Sequence, residues 1–337
     1  MPSTFRPAAP SLVRRALVAA CCAAAGLGAA TFATPAAAQA YPNKTIRMVI
    51  PYPTATVSDM VGRLLAIHMS KSMGQSVVVE NVPAAGGVTG TQQLVRSPKD
   101  GYTIGILNNG HVINPSVFKD LGFDTLKDIE PITTLASSPL LLVASPTLPA
   151  KDLKDLLELA RAKKGEVTYG SMGNGTTVHL TGVLLALEGK VDLKHIPYKT
   201  AAQMISDVIG GQIDIAFMGV ATGAAQVEGG KMKAIGVTTR QRSALMPNVP
   251  TLIEQGLANY QFEGWMAMVA PAGTPRAVVD RLNAEVKAAL AQKDVQESMA
   301  KIGVNILGST PEQTAQFFRA ELDKHSVLAR RGGAKMD

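Results

Sequence analysis

Hydrophobic and polar positions along this chain alternate between two periods. Short runs rich in β-branched residues read as strands. Each is followed by a stretch whose apolar residues recur at i, i+3, i+4 and i+7, the stripe of a helix. Residues 45–50 form the first predicted strand, closed by Pro51 and Pro53, and Val61, Leu64, Leu65, His68 and Met69 mark the helix after it. His68, on that stripe, reads as a packed or interfacial residue rather than a ligand. Residues 77–80 read as a short buried-type strand, 88–96 as a helix and 102–107 as the next strand, ending in Asn108-Asn109-Gly110-His111. Leu153, Leu156, Leu157 and Ala160 define a further helix, and 166–169 a strand. Leu180, Val183, Leu184 and Leu187 give the next helical stripe. A strand and turn at 195–199, a helix at 201–210 and strands at 212–218 and 234–238 come next. Thr274-Pro275 reads as an N-cap with Pro at the first helical position, opening a helix with Val278, Leu282, Val286 and Leu290 on one face. Thr310-Pro311-Glu312-Gln313 is a capping box opening the last helix.

This alternation predicts an α/β fold with largely parallel sheets. Two long extended runs stand out. One is 132–143, broken by Ser137-Ser138-Pro139; the other is 262–269 and contains Trp265, the one tryptophan, which reads as a core residue. Taken as a pair of crossings, they divide the chain into one lobe of residues 41–142 plus 265–337 and another of 143–264. A ligand cleft is expected between the lobes, where strand-end loops converge.

Candidate chemistry concentrates in the strand-to-helix loop Tyr169-Gly170-Ser171-Met172-Gly173-Asn174-Gly175-Thr176-Thr177-Val178-His179. Thr176 or Thr177 is a natural N-cap. A glycine-rich turn leaves the first N–H groups of the following helix, at its positive end, open to an anion. A Walker loop would need lysine where Thr176 stands, and a dinucleotide fingerprint counted from Gly173 would need glycine where Val178 stands. A smaller anion such as a carboxylate fits better, held by N–H and hydroxyl donors. The loop after the first strand repeats the pattern, offering the hydroxyls of Thr54, Thr56 and Ser58, with Ser58 or Asp59 as cap.

Composition narrows the picture. The chain has 337 residues, enough for two domains. It is 46% hydrophobic and 18% charged, which supports a packed core. Aromatic residues are 4%, too few for a base-stacking platform. Arg6, Arg14 and Arg15, an apolar run over 16–32 and Ala38-Gln39-Ala40 compose a secretory signal peptide over residues 1–40. Cys21 and Cys22 leave with it, so no disulfide, thiol nucleophile or cysteine ligand is expected in the mature chain. Cleavage removes three arginines and no acid, taking the formal charge from +7 to +4, with basic residues scattered rather than massed. That argues against nucleic acid and suits small organic anions. His68, His111, His179, His195 and His325 show no paired spacing for a metal, and no cofactor is expected.

Several motifs carry a resemblance over about residues 41–330. They are Tyr41-Pro42-x-Lys44-x-Ile46-Arg47, Val79-Glu80-Asn81-x-Pro83-x-Ala85-Gly86-Gly87, Asp100-Gly101-Tyr102-Thr103 and the loop from Tyr169 to Gly175. Pro197-Tyr198-Lys199, Gly210-Gly211-Gln212-Ile213-Asp214, Asn248-Val249-Pro250-Thr251 and Ala270-Pro271-Ala272-Gly273-Thr274-Pro275 continue the series. Together they resemble the Bug-type solute receptors of tripartite tricarboxylate transporters. The resemblance implies a periplasmic, type II-like binding protein whose two α/β lobes close on a small, often carboxylate-bearing ligand and deliver it to membrane transporter subunits. It implies a first-lobe loop of Tyr52, Thr54, Ala55, Thr56 and Ser58 and a second-lobe loop of Ser171, Asn174, Gly175, Thr176 and Thr177, with His179 behind it. Asn81, Asn108, Phe217, Met218 and Gly219 would add to the walls. Where the family has Pro-Gly-Gly, this chain has Thr54-Ala55-Thr56. Ala and Thr resist the positive φ that glycine allows, so a reshaped or more crowded loop is expected.

Two other readings stand beside the transport receptor. The closed form could instead address a sensor kinase. A hydrolase would use Ser171 with His179 as base, but no G-x-S-x-G elbow surrounds Ser171 and no acid is placed to orient His179. No enzymatic role is expected, and a monomer suits a closing receptor.

Overall fold

The structure, a computed structural model, describes residues 41–333, so the expected signal peptide lies outside the described residues. Contacts divide the chain at Asn43, and the folded elements all belong to the unit beginning at Lys44. Its first half opens with β1 (Ile46–Ile50), α1 (Val57–Met73), β2 (Val77–Asn81), a 3₁₀ turn (Ala85–Gly87) and α2 (Val88–Val95). Next come β3 (Thr103–Asn108), α3 (Gly110–Val117) and the 16-residue β4 (Ile129–Ala144). After them stand α4 (Leu153–Ala162), β5 (Thr168–Ser171), α5 (Thr177–Gly189), β6 (Lys194–Pro197) and α6 (Ala201–Ile209). β7 (Ile215–Gly219), α7 (Val220–Glu228), β8 (Lys233–Val237) and β9 (Glu263–Pro271) lead to α8 (Arg276–Leu290), α9 (Lys293–Lys301), β10 (Asn305–Ile306) and α10 (Pro311–Arg331).

The sheet runs β2-β1-β3-β9-β4-β7-β5-β6, with β8 and β10 also pairing to β4. Both ends are parallel, as strand–helix–strand units require. The middle is antiparallel, because the two long runs, β4 and β9, pair with each other from Ile129 to Pro139. At Pro139 the partner changes. Leu140 to Ala144 pair with β7, and Leu141 to Ala144 with β8. The Ser137-Ser138-Pro139 break read from the sequence is therefore an exchange of neighbours within one continuous strand. β2 is the edge of the sheet, and Val78 is 52% exposed, so it is not the buried-type strand expected.

Most helical stripe positions bury as their spacing dictates, although Leu187 of the α5 stripe is 37% exposed. Leu153, Leu156, Leu157 and Ala160 of α4 all lie in the core with Tyr169, Leu180 and Phe217. Trp265 is buried on β9, donating its Nε1–H to Glu321 of α10 at 2.8 Å, with Phe317 and Phe318 edge-on to its ring. His68, half-buried, pairs with Asp294 of α9 at 3.1 Å, in keeping with the packed or interfacial role read for it. The Thr310 box is formed in full. Thr274 is not a cap: its hydroxyl donates to the Pro271 carbonyl at 2.7 Å, and α8 starts after Pro275.

Candidate functional site

Both strand-to-helix loops singled out from the sequence are built on one plan. In the first, Thr56 caps α1; its Oγ1 accepts the Asp59 N–H at 3.4 Å and donates to the Pro53 carbonyl at 2.9 Å. Asp59 Oδ2 in turn accepts the Ala55 N–H at 3.0 Å. In the second, Thr176 caps α5; its Oγ1 accepts the His179 N–H at 3.3 Å and donates to the Gly173 carbonyl at 2.8 Å. His179 Nδ1 accepts the Gly175 N–H at 3.1 Å. The residue before each cap is left-handed, Ala55 at φ 62° and Gly175 at φ 72°.

Ala55 thus takes the left-handed conformation that alanine resists, φ 62°. The positive φ is kept at alanine, at a cost of roughly 1–2 kcal/mol, and its N–H is tied to a buried carboxylate. Burial raises the Asp59 pKa, but hydrogen bonds from Arg63, Ala55 and Asn81 outweigh it and hold the carboxyl below its usual range. Asn81 is part of this brace. Its Nδ2 donates to the Tyr52 carbonyl at 3.1 Å and to Asp59 Oδ1 at 2.9 Å, and its Oδ1 accepts from Arg63 at 2.9 Å.

A cavity of about 420 Å³ gathers residues from four strand ends. Tyr52 follows β1, Gly86 follows β2, Asn108 ends β3 with Gly110 opening the helix after it, and residues 172–177 follow β5. Tyr52 holds the third of these in place by accepting the Asn108 N–H on its hydroxyl at 3.1 Å. Burial drives the Tyr52 pKa far above its ordinary value, so the hydroxyl stays protonated with its own hydrogen to give. Gly175 makes the close approach across the cavity: a β-carbon there would sit 2.7 Å from Val117 Cγ1 of α3.

Of the residues expected from the sequence, the cavity brings together Tyr52, Asn108, Asn174, Gly175, Thr176 and Thr177. Thr54 and Ala55 are exposed on the outer turn, Thr56 is the cap, and Ser58 is buried in the first turn of α1. Phe217 is fully buried in the core, Met218 is 5% exposed in a second apolar cluster, and Gly219 ends β7, all away from the cavity wall. Ser171 is fully buried, its Oγ 2.5 Å from His195 Nε2 rather than paired with His179. The His179 ring is engaged by Gly175 and stacks on His195 at 4.2 Å. Burial, then the neighbouring His195, lower its pKa to about 4, so it is neutral and accepts. The Ser171–His179 pair that a hydrolase would need is not formed.

Sequence reasoning missed α3 altogether, and with it Ile113, Asn114, Val117 and Phe118 in the cavity wall. Gly110 and Pro115 masked the helix, although Ile113 and Val117 do fall at i and i+4. A second cavity of about 560 Å³ runs along α5, lined by Tyr169, His179, Lys190, His195 and Arg331, and takes from the strand-end loops only Asn174. Among the described residues no group of three His, Cys, Asp or Glu side chains is placed to hold a metal ion, and no helix is long and apolar enough to cross a membrane.

Residues 61–333 match TctC, the tripartite tricarboxylate transporter family receptor. The chain belongs to this family. Its members are solute-binding receptors. A UPF0065 protein of Cupriavidus necator, from the gbd 5′ region, is 35% identical over 323 residues, 95% of this chain and 97% of that one. The solved periplasmic binding protein BugD is similar at a TM-score of 0.71 and 32% identity, over 88% of this chain and 100% of BugD. An R. palustris protein solved with adipate has a TM-score of 0.75 and 29% identity, over 88% of this chain and 100% of that one.

Proposed function

We propose that this receptor captures a small carboxylate-bearing solute in the 420 Å³ cavity and hands it to the membrane subunits of a tripartite transporter, without covalent chemistry. The carrying observation is the convergence of Tyr52 and Asn108 from one set of strand ends on Thr176 and Thr177 at the N-terminus of α5. The first N–H groups of that helix and its positive end suit an anion. The adipate-bound relative supports an organic acid as the class of ligand. In this reading the lobes are 41–142 plus 265–337 and 143–264, and they close about β4, near its change of partner at Pro139, and about β9 near Glu263. The chain acts as a monomer in the periplasm after cleavage close to Ala40.

Thermal denaturation of residues 41–337 against a panel of carboxylates and matched neutral amides tests this. A ligand at about 100 times its Kd adds roughly 2.7 kcal/mol, or several degrees at about 2–4 °C per kcal/mol. Tyr52→Phe should then weaken a carboxylate that shifts the parent by roughly 10- to 100-fold, the worth of one hydrogen bond to a charged group. Shifts confined to neutral compounds would sink the carboxylate assignment.

A further inference from the structure

We infer that Met172 is a modification site: a hydroperoxide converts it to the sulfoxide, and that change lowers the affinity of the cavity for its solute. The effect on affinity rests on the carboxylate reading above; the oxidation itself does not.

Oxidation reaches methionines according to how open their sulfur is to solvent. Among the described residues every methionine is 8% exposed or less, except Met60 at 40% and Met172 at 36%. Met60 stands on α1 and takes no part in the cavity wall, whereas Met172, on the loop after β5, lines it. Met172 also lies outside the apolar clusters of the core. Ser171 before it is fully buried, and its Oγ accepts the Gly173 N–H at 3.1 Å, so the backbone on both sides is held independently of the Met172 side chain. A change at this side chain therefore acts on the cavity and leaves the fold in place.

The step needs only hydrogen peroxide. Sulfur attacks one peroxide oxygen, an S–O bond forms and the O–O bond breaks. The hydroxide released takes the proton of the sulfur-bound hydroxyl and leaves as water. Sulfur has given up two electrons and the peroxide has been reduced. An apolar, adaptable thioether is thereby exchanged for a polar group with an acceptor oxygen. Ile113, Val117 and Phe118, the apolar wall along α3, offer that oxygen no side-chain donor. The donors in the cavity, among them the Tyr52 O–H, the Asn174 amide and the Thr177 hydroxyl, are those a carboxylate would use. A sulfoxide oxygen competes with the solute for these donors, or loses its water when the solute enters. Both weaken binding.

Purified residues 41–337, treated with hydrogen peroxide, are mapped by peptide mass spectrometry and titrated by calorimetry with adipate and hexanoate. Sulfoxide should form at Met172 and Met60 well before it forms at any buried methionine. Saturation with the acid that binds should slow it at Met172 and leave Met60 unchanged. Affinity should fall about ten-fold, the equivalent of roughly 1.4 kcal/mol, with the thermal midpoint of the unliganded protein unmoved. Methionine sulfoxide reductases, one for each epimer, should restore it. Met172→Leu should bind equally before and after peroxide, and Met60→Leu should lose affinity as the parent does.

Sulfoxide at buried methionines as early as at Met172 would overturn the site. Parent affinity in protein fully oxidised at Met172, or an equal loss after peroxide in Met172→Leu, would overturn its effect on the cavity. If neither acid binds the untreated parent, the carboxylate reading fails and the effect on affinity with it, while the peptide map still decides the oxidation.

Discussion

Replacing Gly175 with alanine tests whether the second loop is shaped as described. Gly175 is left-handed, and a β-carbon on it would lie 2.7 Å from Val117 Cγ1 and 3.5 Å from Cγ2. Val117 is 8% exposed on α3 and backed by the core, so it has little room to retreat. The substitution carries two costs. An L-residue in this conformation loses roughly 1–2 kcal/mol, and forcing a methyl into packed space costs about 1–3 kcal/mol. Against them, alanine restricts the unfolded chain and returns about 0.4–1 kcal/mol. The net expectation is a loss of about 2–4 kcal/mol, read as a lower urea midpoint with an unchanged slope. The clash is separable from the backbone strain. In a double-mutant cycle with Val117→Ala, the coupling should be about 1–2 kcal/mol, the part of the loss that a shorter side chain relieves. A Gly175→Ala protein as stable as the parent would refute the left-handed turn. A full loss with no coupling to Val117 would refute the close approach of the loop to α3.

Two further outcomes are expected. Ala55→Gly, at an exposed left-handed position, should stabilise the protein by about 0.5–1 kcal/mol, the relief of strain less the extra freedom of the unfolded chain; a destabilised variant in urea titration would show that Ala55 is not strained. Acid should unfold the protein early, because burial lowers His111, His179 and His325 to about 4 each. The unfolded chain binds protons near pH 6.5 and the folded one does not, so stability is complete above about 6.5 and drains as pH falls towards 4, by up to roughly 3 kcal/mol per histidine. Urea midpoints flat between about pH 7 and 4.5 would contradict this, and a His179→Gln variant should show a shallower slope.

Much of the fold was legible because it depends on local spacing. The α4 stripe and the Thr310 capping box are set by residues within a turn or two of each other, and both stand as read. The polar and non-local features were not legible in the same way. Pro115 and Gly110 are poor helix residues, yet α3 forms because Val112 and Ile113 bury against the sheet and the Asn114 amide ties back to Gly86. Ser171 meets His195, 24 residues on, because β5 and β6 are neighbours in parallel register, Tyr169 opposite His195. Spacing along the chain pointed instead to His179, which the helix turns towards its own loop. The edge position of β2 depends on strand order, which the hydrophobic run 77–80 does not encode.

The two loops share a geometry without sharing a sequence, and their difference has a consequence. In each, a threonine caps the helix, the third helical residue accepts the N–H of the left-handed residue, and the cap hydroxyl closes back on the preceding turn. Together these bonds hold the first turn of each helix in place, and a site built on such a turn loses less entropy on binding. The acceptor is Asp59 in the first loop and His179 in the second. Hydrogen bonds from Arg63, Ala55 and Asn81 outweigh burial and hold the Asp59 carboxyl below its usual range, and its negative charge stands at the positive end of α1. A neutral imidazole accepts the corresponding bond but adds no charge beside the N-terminus of α5, where the cavity lies. Placed there, an aspartate would compete with an anionic ligand for the same helix end. The α5 loop, which gives Asn174 to Thr177 to the cavity wall, is therefore braced by the neutral group, and the α1 loop, which gives it only Tyr52, by the charged group.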